Sequence, residues 1–273
     1  MTEFADKYEA LLVHRERSRL YVTLNRPEVK NALNPTLIDE LKSVFSILKE
    51  RRDIKVVILR GAGGTFCAGA DLKNMEQSFT DRPKPGEKDP IAIWNRQFGR
   101  FLEMVNTTPQ VVVAAVEGYA IAGGFGILCV SDVAICTEGA GFAMSETAIG
   151  IVPAQIAPFV AERIGVPQTR HLALTAARFK GPEALRLGIA HYLVADSAAL
   201  DAKLEEVLKQ IDKCAPLANA LTKQVVMKVG SEPLSDVLDF AADKFAEARR
   251  GPEAGEGLRA FAEKRPPCWA VES

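Results

Sequence analysis

Residues 11–25, LLVHRERSRLYVTLN, alternate apolar and polar side chains and break at a charged stretch near Glu16–Ser18. That period of two is the pattern of a strand pair joined by a turn. The next segment, NPTLIDELKSVFSILKERRD, changes period. Leu37, Leu41, Val44, Phe45 and Leu48 recur at three- and four-residue spacing and predict a helix, with Asn34 as N-cap and Pro35 at the first helical position. VVILRG (56–61), VVVAAVEG (111–118) and DVAICT (132–137) are short apolar runs that read as buried strands. Strand, helix, strand in this rhythm predicts an α/β fold with parallel pairing through right-handed crossovers.

Between Met75 and Ile91 the sequence EQSFTDRPKPGEKDP is dense in proline and charge, which predicts an exposed, mobile loop. From 164 onward the pattern is mainly helical, through PQTRHLALTA, GPEALRLGIA, LDAKLEEVLKQIDKCA, PLANALTKQVVMKV and LSDVLDFAADKFAEARR. No internal repeat is visible. The expected organisation is a core over 1–200 and a helical C-terminal region over 201–273.

Composition narrows the class. The chain has 273 residues, 48% hydrophobic and 25% charged, a globular balance. Its 34 basic and 35 acidic residues leave a net charge of −1, which gives no reason to expect a nucleic-acid partner or an anionic membrane surface. No apolar stretch reaches the ~20 residues of a membrane helix, and the polar start MTEFADKYEA is unlike a signal peptide. The five cysteines form no CxxC pair and read as reduced thiols. A cytoplasmic protein without a metal site is expected.

Candidate chemistry gathers where side chains thin out. CAGADLKNM (67–75) and EGYAIAGGFGILCVSD (117–132) each carry a strand into small residues and then towards an apparent helix. Two such turns can pack helix against sheet. They can also present backbone N–H groups to an oxygen on which negative charge develops. Neither turn has the G-x-G-x-x-G order of a dinucleotide site or the GK[ST] of a phosphate loop.

Five motifs together are more specific: LNRPEVKNALN (24–34), GTFCAGADLKNM (64–75), VEGYAIAGGFGILCVSDVAIC (116–136), FAMSETAIGIVP (142–153) and EGLRAFAEKRPP (256–267). In order and spacing they resemble the crotonase superfamily of enoyl-CoA hydratases and isomerases, over about 10–267. The resemblance implies a spiral of ββα turns, a helical trimerisation region and a homotrimer or hexamer. It also implies an acyl-CoA substrate held in an oxyanion hole, with coenzyme A as part of the substrate and no separate cofactor. Carried over by position, the N–H groups of Ala70 and Gly123 would be the two donors and Glu146 the acid/base. Ala68, Asp71 and Leu72 would line the acyl-CoA channel, Val29 and Lys30 would lie by the adenine, and Phe261 and Lys264 would contact CoA, often on a neighbouring subunit.

The chain departs from the family at one position. Hydratases of this family generally hold the attacking water with two glutamates, and Gly126 stands where the first would fall. Family isomerases use a single glutamate at the position of Glu146, so the residue does not separate the two activities. SETAIGIVPAQIAPFVAERIG resembles the hydratases of branched glutaconyl thioesters, the methylglutaconyl and isohexenylglutaconyl types. For these, Gly126 would remove a charge and open space beside a substrate that brings its own carboxylate. The resemblance therefore implies an enoyl-CoA hydratase, with a double-bond isomerase as alternative and a non-enzymatic acyl-CoA-binding module as a third class. His14, His171 and His191 have no nucleophile partner in the sequence and read as structural. Cys67 reads as a packing residue, Ser145 and Gln155 as polar contacts near the acyl group, and Trp94 and Phe98 as core or as a pocket wall.

Overall fold

A computed structural model describes residues 4, 8–71, 83 and 86–271. The expected hairpin is β1 (Leu11–Glu16) and β2 (Arg19–Leu24), antiparallel, turning at Arg17 with φ 52°. Helix α1 (Pro35–Leu48) follows, and Asn34 Oδ1 accepts from the Leu37 N–H at 2.9 Å, the predicted cap. Strand β3 (Val56–Gly61), helix α2 (Pro90–Thr107) and strands β4 (Val111–Val116) and β5 (Tyr119–Ile121) come next. The expected loop ends earlier than Ile91: Asp89 caps α2, which starts at Pro90, and most of the remainder lies outside the described residues.

Helix α3 (Gly123–Cys129), strands β6 (Val133–Thr137) and β7 (Gly141–Ala143), and helices α4 (Ala157–Ile164) and α5 (Val166–Thr175) continue the chain. Then come β8 (Arg178–Lys180), α6 (Gly181–Arg186), β9 (Tyr192–Val194) and the helices α7 (Ser197–Asp212), α8 (Pro216–Met227), α9 (Leu234–Arg250), α10 (Pro252–Ala262) and α11 (Cys268–Val271). Strands β8 and β9 interrupt the part expected to be helical, at three residues each.

The larger sheet has the order β1-β2-β3-β4-β6-β9, parallel except at β1–β2. A smaller sheet has the order β5-β7-β8. Successive residues of a strand face opposite sides, and here both sides are covered. Val57, Leu59, Val112 and Ala114 join the core that includes Leu41 and Phe45 of α1 and Leu102 of α2. Val56, Ile58, Val113 and Ile135 pack with Leu200, Leu204, Val207 and Leu208 of α7. Double coverage explains why the strands are unbroken apolar runs rather than alternating ones. The boundary expected after residue 200 falls inside α7, which belongs to the packed layers. The α/β architecture with a helical C-terminal region is the one expected.

Candidate active site

The thin segment 66–71 is held by backbone hydrogen bonds on both edges. On one edge the Phe66 N–H donates to Glu117 O (2.9 Å), the Cys67 N–H to Tyr119 O (2.7 Å), and Cys67 O accepts from the Ile121 N–H (3.0 Å). On the other, the Ala68 N–H donates to Lys30 O (3.0 Å), Gly69 O accepts from the Leu33 N–H (2.7 Å) and the Asp71 N–H donates to Leu33 O (2.9 Å). Leu33 is thus a parallel bridge partner of Ala70 and takes the groups on either side of it. The N–H of Ala70 itself points the other way and has no acceptor among the described residues.

The second turn lies at Ala122, between β5 and α3. Ala122 has φ 48° and ψ −116°, a region a residue with a Cβ rarely adopts. It is held there by its N–H donating to Ala143 O (2.9 Å) and its carbonyl accepting from the Gly126 N–H (3.0 Å). Gly123 opens α3, so its N–H has no partner within the helix and none elsewhere among the described residues. The two turns abut: a Cβ on Gly69, at φ 97°, would stand 3.0 Å from Ala122 Cβ, and one on Gly124 would stand 2.6 Å from Cys67 O. Larger side chains would force the turns apart, a physical reason for the thin sequence.

Both turns open into a cavity of about 360 Å³. Its other walls are the start of α1 from Asn34 to Lys42, residues 94–98 of α2, and the segment 145–156. Glu146 starts a 3₁₀ turn, Glu146–Ile149, tied to α5 by the Thr147 hydroxyl donating to Ala173 O (2.7 Å). The carboxylate is half-buried. Its Oε2 is buried with no hydrogen-bond partner among the described residues. Burial holds its pKa above the ordinary 4.5, against the opposing pull of a backbone hydrogen bond, and such a group is a stronger base than a solvated glutamate.

Of the residues expected at the site, Glu146, Ala70, Gly123, Ala68 and Asp71 share this cavity, as do Ser145, Gln155, Trp94 and Phe98. Asp71 is paired with Arg26 at 3.1 Å. Lys30 does not line the cavity; its ammonium lies 5.4 Å from the centre of the Tyr119 ring, and Val29 precedes it in a 3₁₀ turn. Leu72 lies outside the described residues. Phe261, 86% exposed, and Lys264 lie at the end of α10 and beyond, away from the lining.

Gly126 requires a correction. It is buried and does not line the cavity, and a Cβ there would stand 2.4 Å from Ile156 Cγ2. The room expected beside it is filled by Ile156, which itself faces the cavity.

Burial pushes the Cys67 thiol up to about 12, so it is no nucleophile at neutral pH. His191 Nδ1 accepts from the Ala134 N–H at 3.0 Å, a structural role. Among the described residues no group of three or more His, Cys, Asp or Glu could hold a metal ion, and no helix is long and apolar enough to cross a membrane. The polar wall formed by Asn34, Asp39, Lys42, Asn95 and Gln97 was not anticipated. Its one sequence signal is weak: Ile38 and Lys42 recur at i, i+4 on α1, beside the buried stripe.

The family model described as enoyl-CoA hydratase/isomerase matches residues 14–272. A solved structure of an enoyl-CoA hydratase/isomerase from Marinobacter aquaeolei is 44% identical with a TM-score of 0.92, covering 96% of this chain and 99% of that one. Pseudomonas aeruginosa AtuE is 47% identical with a TM-score of 0.91, covering 96% and 100%. The short-chain-enoyl-CoA hydratase of Clostridium acetobutylicum is 31% identical over 257 residues, 93% of this chain and 95% of its own.

Proposed function

This chain belongs to the enoyl-CoA hydratase/isomerase family, and we propose that it adds water across the 2,3 double bond of an acyl-CoA thioester, of a branched or carboxylated glutaconyl type. The observation that carries the reading is the buried Oε2 of Glu146, in the same cavity as the N–H groups of Ala70 and Gly123, all three without a hydrogen-bond partner among the described residues.

The thioester carbonyl oxygen accepts from the N–H groups of Ala70 and Gly123. Glu146 takes a proton from a water molecule whose oxygen forms the bond to C3. The C2=C3 electron pair moves toward the carbonyl, giving an enolate whose oxygen is held by the two donors. Glu146 then returns the proton to C2, so one molecule of water is added and the carboxylate is regenerated. Ala68, Asp71 and Leu72 line the acyl-CoA channel and Val29 and Lys30 lie by the adenine, with Phe261 and Lys264 supplied by a neighbouring copy in a homotrimer or hexamer. Exposed Leu234, Leu238 and Phe245 on α9 and Phe261 on α10 support such an assembly.

A second reading, double-bond isomerisation by Glu146 alone, is favoured by the absence of a second carboxylate at Gly126. Incubation with 2-enoyl- and 3-enoyl-CoA esters in heavy-oxygen water, followed by mass spectrometry, separates the two. Hydration puts one labelled oxygen on C3. Efficient interconversion of the esters without label would overturn the hydratase reading.

A further inference from the structure

The cavity holds one cation among its described lining residues, Lys42 on α1. It stands on the polar wall with Asn34, Asp39, Asn95 and Gln97, while the rest of the lining is largely apolar, with Ile38, Trp94, Phe98, Ile151 and Ile156 among it. We infer that Lys42 recognises an anionic group at the far end of the acyl chain, so that the site selects a thioester bearing a distal carboxylate. The inference rests on, and sharpens, the acyl-CoA reading above.

Among the described residues the ammonium is poorly provided for. Its contact is to Asp39 Oδ1 at 3.4 Å, an i, i+3 pair in which the lysine side chain is 23% exposed and the aspartate 73%. A lysine has three donors, and one long contact to a largely solvated carboxylate satisfies little of that capacity. Covering such a group costs free energy unless it is paired. A ligand carboxylate would supply a second charge-assisted bond. A neutral acyl chain would leave the ammonium with Asp39 and whatever water reaches it.

The placement fits the length of such a chain. Leu33 bridges Ala70, and Asn34 caps α1 next to it. Lys42 stands eight residues beyond Asn34, about 12 Å along the helix axis, and helical side chains lean back toward the N-terminus, here toward the Ala70 turn. A thioester anchored at the two turns and running along α1 brings a carboxylate four or five carbons away toward the ammonium. The other acidic groups of the cavity define the alternatives. Asp71 is occupied by Arg26, Glu146 would repel an anion, and Asp39 competes for the same lysine.

The test uses saturated esters, which bind without reacting. Calorimetric titration compares glutaryl-CoA, which carries the distal carboxylate, with butyryl-CoA, which lacks it. Wild type is expected to prefer glutaryl-CoA. Lys42→Met, checked for folding by circular dichroism, should weaken glutaryl-CoA binding by about 10- to 100-fold, the range for a hydrogen bond to a charged group. Butyryl-CoA should be affected far less, Lys42→Arg should keep the preference, and Asp39→Asn should sharpen it by removing the competitor. Equal weakening of both esters would place Lys42 against CoA itself and overturn the proposal, as would an unchanged glutaryl-CoA affinity. Wild type binding neither ester would instead remove the acyl-CoA reading, and with it this one.

Discussion

Glu146 stands in the cavity with one carboxylate oxygen buried and without a partner among the described residues, and the consequences for activity and stability have opposite signs. Its pKa is higher in the folded chain than the ordinary 4.5, so folding favours the protonated form. Its contribution to stability is therefore full below about pH 4.5 and is lost as pH rises through the folded value. At neutral pH the ionised side chain is a net cost, the usual exchange of stability for a working group. Glu146→Gln should leave the melting temperature at pH 7 unchanged or higher while turnover falls by ~10²–10⁴-fold. In wild type the acid limb of kcat/KM should lie above the ordinary carboxylate range. Wild-type rates in the Gln variant would take Glu146 out of the mechanism. At this scale the sequence was unevenly legible. Glu146 stood out through a motif, whereas Lys42 looked like any polar residue on an amphipathic helix, because its meaning depends on α2 and the 145–156 segment closing over it.

The paired turns test a single element at a time. At Ala70 the N–H has no acceptor among the described residues and the residue is exposed, so Ala70→Pro removes a donor at little packing cost. Turnover is expected to fall ~10²–10³-fold, the usual loss for one oxyanion donor, with circular dichroism unchanged. A folded Ala70→Pro protein at full rate would refute the donor assignment. Gly123 is the poorer probe. A Cβ there would stand 2.6 Å from Leu33 Cδ1, so any substitution disturbs the wall as well as the donor. Gly126 shows what the family resemblance could not convey. Its vacancy is real in the sequence, but the side chain that fills it comes from Ile156, thirty positions on, which no local pattern reveals. Gly126→Ala should cost about 1–3 kcal/mol by overpacking, read from the denaturant midpoint. Ile156→Ala removes the obstructing Cγ2, so the double variant should be less destabilised than the sum of the two singles.

At the scale of the molecule the sheet is the frame, and its layers explain what sequence periodicity could and could not convey. Apolar runs at β3, β4 and β6 announced buried strands, and the spacing in α1 announced its inner face. The three-residue strands β5, β7, β8 and β9 are too short to carry a period, and α7 gives no sign in its own pattern of which sheet face it covers. Docking of the C-terminal helices onto the sheet depends on side chains far apart in the chain, and Lys223 of α8 is the clearest of these. Its ammonium donates to Thr108 O (3.0 Å), Gln110 O (2.7 Å) and Asp132 Oδ2 (2.5 Å), and Asp132 Oδ2 also accepts from the Val112 N–H (2.7 Å). Burial lowers the lysine pKa while Asp132 opposes the shift, which marks a covered charge kept by its partner. Lys223→Met preserves length and apolar contact but strips a carboxylate and two carbonyls of their shared donor. Losing the charge-assisted hydrogen bonds of this part-buried pair costs about 1.5–3 kcal/mol, and for a chain of this size that is a fall of roughly 5–10 °C in Tm. These contacts sit where β4 and β6 begin, whereas Gly123 lies at the opposite end of α3 from Asp132. At low temperature the variant should therefore keep kcat/KM while calorimetry records the lost stability, and an unchanged Tm would mean that Lys223 does not hold α8 to the sheet.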